Sequence, residues 1–336
     1  MRLNKIILML LVFVLVTTVF TGCKPKETQQ KPEEQVKTYS FKMPSGSPTG
    51  TYYIALTAIA GVVSKYEPNI VAVAVPGGGS AANCRSVGKG ESLMSMTTSM
   101  VAYQAYTGNG SFQNEKYENL RSVGPAHPLI ISFIVKSNSN IKTVYDLKGK
   151  RVAIGEAGSG DAVAAEEILK TAGIWDSVIK VNVGDPDSWD MLKSGAVDAA
   201  IHHTTLPNSN LYQFSTSTSI TLTEIPDDLA DKIIQNSPYF FKYVAPKDGY
   251  VGMTADVKVL ANPSILITNK DAEEEMVYKF IKAYWDHFDE VVASAKFLNT
   301  VNKDNPLGGI SIPLHPGAYK YWVEKGVNIP DNIKPK

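Results

Sequence analysis

From Tyr39 onward the chain alternates short apolar runs with longer stretches whose apolar residues recur every three or four positions. "YSFKM" reads as a strand, "SGSPTG" as a loop, and "TYYIALTAIAGVVSKY" as an amphipathic helix. "NIVAVAV" is a second strand, "PGGGS" a loop and "AANCRSVGKG" a helix ending in glycine; "SLMSMTT" is a third strand and "SMVAYQAY" opens another helix. This β-α-β-α-β order predicts an open parallel sheet with helices on its faces. The order then recurs. Strand "LIISFIVK" leads to strand "RVAIG", loop "EAGSGD" and helix "AVAAEEILKTAG"; strand "IKVNVG", loop "DPDS", helix "WDMLKSG", strand "VDAAIH" and loop "HTTLPNSN" complete the second set. Two sheets of one α/β design, joined by extended segments, predict two similar lobes facing each other. No repeat is visible residue by residue, so the symmetry is architectural.

In the last third, "VKVLANPSILITNK" reads as extended chain returning from the second lobe. "DAEEEMVYKFIKAYWDHFDEVVASAKFL" is a long amphipathic stretch, acidic at its start as a helix N-terminus prefers. Its Tyr278, Phe280, Tyr284, Trp285 and Phe288 have the spacing of a core face; a ligand-facing aromatic box is the alternative.

Ahead of the folded part the pattern changes twice. Arg2 and Lys5 precede an apolar or hydroxyl run from Ile6 to Phe20, shorter than the roughly 18 or more apolar residues a membrane span needs, so residues 1–22 read as a signal peptide. Phe20-Thr21-Gly22-Cys23 resembles the bacterial lipobox, with Phe where Leu is usual, which implies acylation of Cys23; an ordinary cleaved signal with an incidental cysteine is the alternative. Residues 23–37, rich in Lys, Glu, Gln and Pro, have almost nothing to bury and read as a disordered tether. The expected arrangement is a lipid anchor at the outer face of a bacterial cytoplasmic membrane, with the folded part working in solution.

Composition narrows the function further. The 336 residues carry 33 basic and 33 acidic side chains, a zero net charge that gives no electrostatic footprint for nucleic acid. Beyond Cys23 the chain has only Cys84, which excludes an intramolecular disulfide in the mature form; within "SAANCRSV" it reads as a small buried apolar residue.

In an open α/β sheet, ligands bind outside the carboxyl ends of the strands, where loops enter helix N-termini. Here those loops, "SGSPTGTYY", "PGGGS", "TTS", "EAGSGD" and "HTTLPNSN", are rich in Gly, Ser and Thr with few charges. Glycine admits close backbone approach, hydroxyls donate and accept, and free helix-start N–H groups favour an anion. Thr98 and Thr205 enter the candidate set on this ground. Other chemistries fit poorly. "GEAGSGD" lacks the Lys-Ser/Thr of a nucleotide P-loop, and Val163 stands where a dinucleotide fingerprint needs its third glycine, so no cofactor is expected. Ala82 replaces the last glycine of a nucleophile elbow around Ser80. His202 and His203, adjacent at a strand end, point to opposite faces and make a poor metal pair.

Taken together, "GTYYIAL", "GGGSAANC", "KGESLMSMTTSMVAY", "DLKGKRVAIGEAGSGDAVAAEEILKTAGI", "LKSGAVDAAI", "MVYKFIKAYWDH" and "PLHPGAYKYW" resemble the TAXI family, the solute receptors of TRAP transporters, over about residues 41–327. The resemblance implies a two-lobed type II periplasmic-binding-protein fold with open, mostly parallel sheets and a hinge of two extended crossovers near 124–133 and 257–266. Lobe 1 would comprise 38–130 and 262–336, and lobe 2 131–261. It implies no enzyme, but capture of a glutamate-like amino acid or dicarboxylate and delivery to a TRAP permease driven by an ion gradient. The family's binding loops fall on Thr51, Tyr52 and Tyr53, on Gly78, Gly79, Ser80 and Asn83, on Ser99, on Gly158, Ser159 and Gly160, and on Pro207. Three positions depart from the family pattern. Leu93 and Met100 replace acids, and Asp161 replaces a hydroxyl, where it either caps its helix or meets a ligand ammonium. Rival readings are a secreted hydrolase using Ser80 or Ser99, a binding subunit of an ABC importer, a sensor ectodomain, and a structural surface antigen.

Overall fold

The structure is a computed structural model that describes residues 37–46, 48, 50–155 and 160–336. The expected signal peptide, Cys23 and nearly all of the tether lie outside the described residues, as do Gly158 and Ser159. The chain opens with β1 (Tyr39–Pro44), α1 (Thr51–Tyr66), β2 (Ile70–Val75), α2 (Ser80–Gly88), β3 (Met94–Thr98) and α3 (Ser99–Thr107), followed by the long strand β4 (Leu120–Lys136). Next come β5 (Arg151–Ala153), α4 (Gly160–Thr171), β6 (Ile179–Val181), α5 (Asp187–Ser194), β7 (Ala199–Thr204), α6 (Ser209–Ser217), β8 (Ile220–Leu222), α7 (Asp227–Asn236) and β9 (Phe241–Ala245). The second long strand, β10 (Val257–Asn269), leads to α8 (Glu274–Asp286), α9 (Phe288–Ser294) and α10 (Pro316–Glu324).

Local sequence accounts for these bounds. Helix α1 buries Ala55, Leu56, Ile59, Val62 and Val63, the three-and-four spacing that made it legible. The Thr98 hydroxyl caps α3 by accepting the Val101 N–H at 3.2 Å, and Gly108 in the left-handed region ends the helix. The long amphipathic stretch is split at His287, whose ψ of 29° leaves the helical region. That turn lets Phe288 and Val291 of α9 rejoin the core.

The sheets correct the mostly parallel expectation. Strands β1 and β2 form their own parallel pair, but the main sheet runs β3-β10-β4-β7-β5-β6, with β8 on β4 and β9 on β10. In it β10 is antiparallel to β3, β4 and β9, and β4 is antiparallel to β7 and β8; only β5 pairs in parallel, with β6 and β7. The reason lies in the two extended segments expected to be connectors. They are the longest strands of the sheet, one leaving and one returning, so they zip together in opposite directions and join the two α/β halves into one surface.

The middle of that zipper is weak. Pro128 faces Pro263, Pro125 faces Ile265, and the register shifts between Pro263 and Ile265 and again between Leu266 and Ile267. Proline has no N–H to give a ladder, so the backbone bonding that rigidifies both ends is interrupted here.

Apolar side chains gather in three clusters. One contains Met43, Ile59, Phe280 and Trp322; the others cover the opposite faces of the β4–β7–β5 region, around Phe133 and Leu169 on one side and Ile134 and Trp189 on the other. Phe280, Tyr284 and Phe288 are core, as the spacing predicts, whereas Tyr278 and Trp285 are half-buried; Cys84 is fully buried with its thiol against the Thr97 hydroxyl at 3.3 Å.

Candidate functional site

The carboxyl ends of β1, β2 and β3 face those of β5 and β7 across the β4/β10 pair. Between them lies a cavity of about 360 Å³. Thr51, Tyr52, Ser80 and Thr98 line one side, Asp161, His203 and Thr204 the other, and Leu129 of β4 lies between. Helices α1 and α2 start at Gly50 and Gly79, which offer no side-chain acceptor, so their first-turn N–H groups are left for a ligand or water. Gly79 is required by its backbone, with φ at +77°; at Gly78 a Cβ would come within 2.7 Å of the Ala82 Cβ.

A chain of hydroxyls runs inward from the cavity. Ser80 Oγ lies 3.0 Å from Tyr52 Oη and accepts the Thr98 N–H at 3.3 Å. Ser264 Oγ donates to Tyr52 Oη at 3.5 Å and stands 3.5 Å from His127 Nε2. Burial pushes Tyr52 up to about 12 against the pull of its Ser264 and Ser80 hydrogen bonds, so it remains a neutral donor. Burial holds His127 down to about 3, and its Nδ1 has no partner among the described residues.

The other wall is acidic. Asp161 Oδ1 lies 3.1 Å from His203 Nδ1. Nearby Asp185 is pushed up to about 6, first by burial and also by the charge of Asp161. His202 faces away, as alternation requires: its Nδ1 meets the Ile130 carbonyl and its Nε2 the Tyr250 hydroxyl, each at 2.8 Å, and burial pushes it down to about 4. Among the described residues no group of three metal-ligating side chains gathers.

The structure brings Thr51, Tyr52, Ser80, Thr98 and Asp161 together at the cavity, with Gly160 opening α4 beside them. Other candidates point elsewhere. Tyr53 lies in an outer groove with Ile54 and Glu290, so of the two tyrosines Tyr52 faces inward. Asn83 is buried and donates to the Ser45 carbonyl at 2.9 Å and the Met96 carbonyl at 2.8 Å, tying β1's loop to β3. Ser99 is buried against the Gly309 carbonyl and Ser311. Thr205 is buried away from the cavity, and Pro207 is exposed after a cis peptide bond. Neither serine of the hydrolase reading has an imidazole or carboxylate among its hydrogen-bond partners. Gln104, His203 and Thr204, which the sequence reading did not select, also line the cavity. For Gln104 the available signal was its place four residues after Met100, on the face of α3 that starts at the cavity.

The two buried histidines make stability depend on pH. Below about pH 6.5 an unfolded histidine takes up a proton, while His127 and His202 stay neutral in the fold down to about 3 and about 4. Their folded values are depressed, so stability falls as pH drops, by about 1.4 kcal/mol per pH unit for each group. Urea titrations between pH 6.5 and 4.5 should show this slope, and His127→Phe should remove about half of it; an unchanged slope would mean that His127 protonates freely in the fold.

This is a two-lobed periplasmic-binding-protein-like fold. The chain belongs to the NMT1-like family, whose sequence profile matches residues 43–326. Its fold is similar to a TctC solute-binding protein from Polaromonas, at 14% identity over 79% of this chain and 88% of that one, with a TM-score of 0.53. Further similar structures are the aliphatic sulphonate binding protein SsuA from Escherichia coli (14% identity, 86% of this chain and 84% of that one, TM-score 0.48) and the probable amino-acid ABC transporter extracellular-binding protein ytmK from Bacillus subtilis (16%, 80% and 100%, TM-score 0.48).

Proposed function

We propose that the protein is a solute receptor of the TAXI type, anchored through an acylated Cys23 outside the bacterial cytoplasmic membrane, that captures a small amino acid or carboxylate between its lobes and passes it to a TRAP permease. The observation that carries this reading is the cavity whose two walls come from the two sides of the β4/β10 pair. Uncapped starts of α1 and α2 suit a ligand carboxylate, and Asp161, with Asp185 close by, suits an ammonium. A solute touching both walls does so only when they are close, so its binding energy favours the closed form. The lobes would be 38–130 with 262–336, and 131–261, swinging about the proline-interrupted centre of β4 and β10.

The test is a thermal melt of protein refolded from denaturant to strip carried-over solute, against amino acids, keto acids and dicarboxylates. A ligand at 100 times its dissociation constant should add about 2.7 kcal/mol. A selective shift supports the receptor, and uptake in proteoliposomes driven by an ion gradient without ATP supports the TRAP partner over an ABC importer. A well-folded protein that shifts with none of these compounds counts against the solute class.

A further inference from the structure

Gln104 has features that the proposed amino-acid site does not by itself require. It is 7% exposed and lines the cavity, where its amide is left to water or a ligand. A ligand that displaces water from that amide must return its hydrogen bonds or lose affinity. Its position is held from behind: the amide lies against Gly110, where a Cβ would come within 2.6 Å of Gln104 Cδ, and Gly110 has φ at +55°. Across the cavity His203, with its side chain 4% exposed, has no hydrogen bond of good geometry at either ring nitrogen; the Asp161 contact at 3.1 Å is close but poorly aligned.

Charge supplies the second observation. None of the described residues lining the cavity is Lys or Arg, and the one carboxyl group among them is that of Asp161. Arg85 of α2 is already held by Glu115 at 3.0 and 3.2 Å. A ligand with one carboxylate and one ammonium satisfies the helix starts and Asp161. A second carboxylate would be stripped of water beside Met100, Val101 and Gln104, with no Lys or Arg among the described lining residues to meet it.

We infer that Gln104 is the specificity-determining residue of this site and that it selects zwitterionic amino acids with an uncharged polar side chain over dicarboxylates. This rests on the amino-acid receptor reading above. A side-chain amide or hydroxyl returns both a donor and an acceptor to the Gln104 amide; a carboxylate returns acceptors only. A site built to hydrogen-bond such a group rejects analogues that leave it unpaired.

Calorimetric titration of the refolded protein at pH 7.5 tests this with L-glutamine, L-asparagine, L-serine, L-glutamate, L-aspartate, L-leucine and succinate. At least one neutral polar amino acid should bind ten-fold or more tightly than L-glutamate and L-aspartate. Gln104→Leu should weaken that ligand at least ten-fold without weakening L-leucine, and Gly110→Ala, which displaces the amide from behind, should weaken it in the same selective way. Tighter or equal binding of L-glutamate, L-aspartate or succinate overturns the specificity assignment and leaves the receptor reading standing. Equal losses for every ligand in both variants, with unchanged melting, reduce Gln104 to a packing residue and overturn it too. Heat from none of the compounds, with a cooperative melt, removes both readings together.

Discussion

Trp322→Ala is expected to lose about 3–5 kcal/mol of stability, the range for deleting a large buried aromatic. Trp322 is fully buried in the first core cluster, stacks edge-on with Trp285 and Tyr321 at 5.0 and 5.2 Å, and donates its Nε1–H to the Val123 carbonyl at 3.1 Å. That bond and the ring together fix α10 to β4, so the variant loses packing and also leaves a buried carbonyl unpaired. Urea unfolding should show a lower midpoint with an unchanged slope. A loss below about 1 kcal/mol would mean that the site collapses around the deletion and that α10 is not held by this residue.

Met100→Asp should cost a similar amount for a different reason. Met100 sits on α3, yet it is 1% exposed and packs in the cluster of Ile131, Phe133 and Leu260, not in the one that holds most of its own helix's neighbours. It is an apolar peg from one half of the protein set into the other. Although Met100 borders the cavity, at 1% exposure an acid there must either stay charged among apolar neighbours or bind a proton, and removing a carboxylate from water without a partner costs several kcal/mol. Its folded pKa would be raised, so the penalty should be smallest below about pH 4 and grow as pH rises. Met100→Leu, nearly equal in volume, should cost less than about 1.5 kcal/mol. If Met100→Asp unfolds at the same denaturant concentration as wild type at neutral pH, the contact between the halves is looser than its burial implies.

Much of this fold was legible because its helices and strands are locally consistent. The run from Thr51 to Tyr66 has one buried face and a glycine before it, and it is a helix over those residues. What one-dimensional reading could not supply was direction. Nothing in "LRSVGPAHPLIISFIVK" or "VKVLANPSILITN" says that they pair with each other, because the pairing joins residues far apart in the chain. Loop composition marked the cleft by its hydroxyls and glycines and points to Thr98, and the family resemblance adds Thr51 and Ser80. The resemblance overreaches at Asn83 and Ser99, polar groups that the backbone uses to tie itself together. Loop composition passed over Gln104 because a helix interior carries no loop signature, and a lone glutamine there looks like surface.

The order in which the strands leave the ribosome or translocon gives the β4/β10 pair a further consequence. The strands β5 to β8 find all their partners, and β4 all but β10, within a continuous stretch of chain, so that part of the sheet can assemble as it emerges. Strand β3 cannot. Thr98 pairs with Ser264 and Met94 with Thr268, so the α/β unit made first keeps an open edge until the returning strand arrives. An apolar strand edge left waiting is a template for intermolecular pairing, and closing so long a loop is slow. Chains cut short before Val257 should therefore be withdrawn from solution by aggregation, whereas in a protein complete through β10 this edge of β3 is paired.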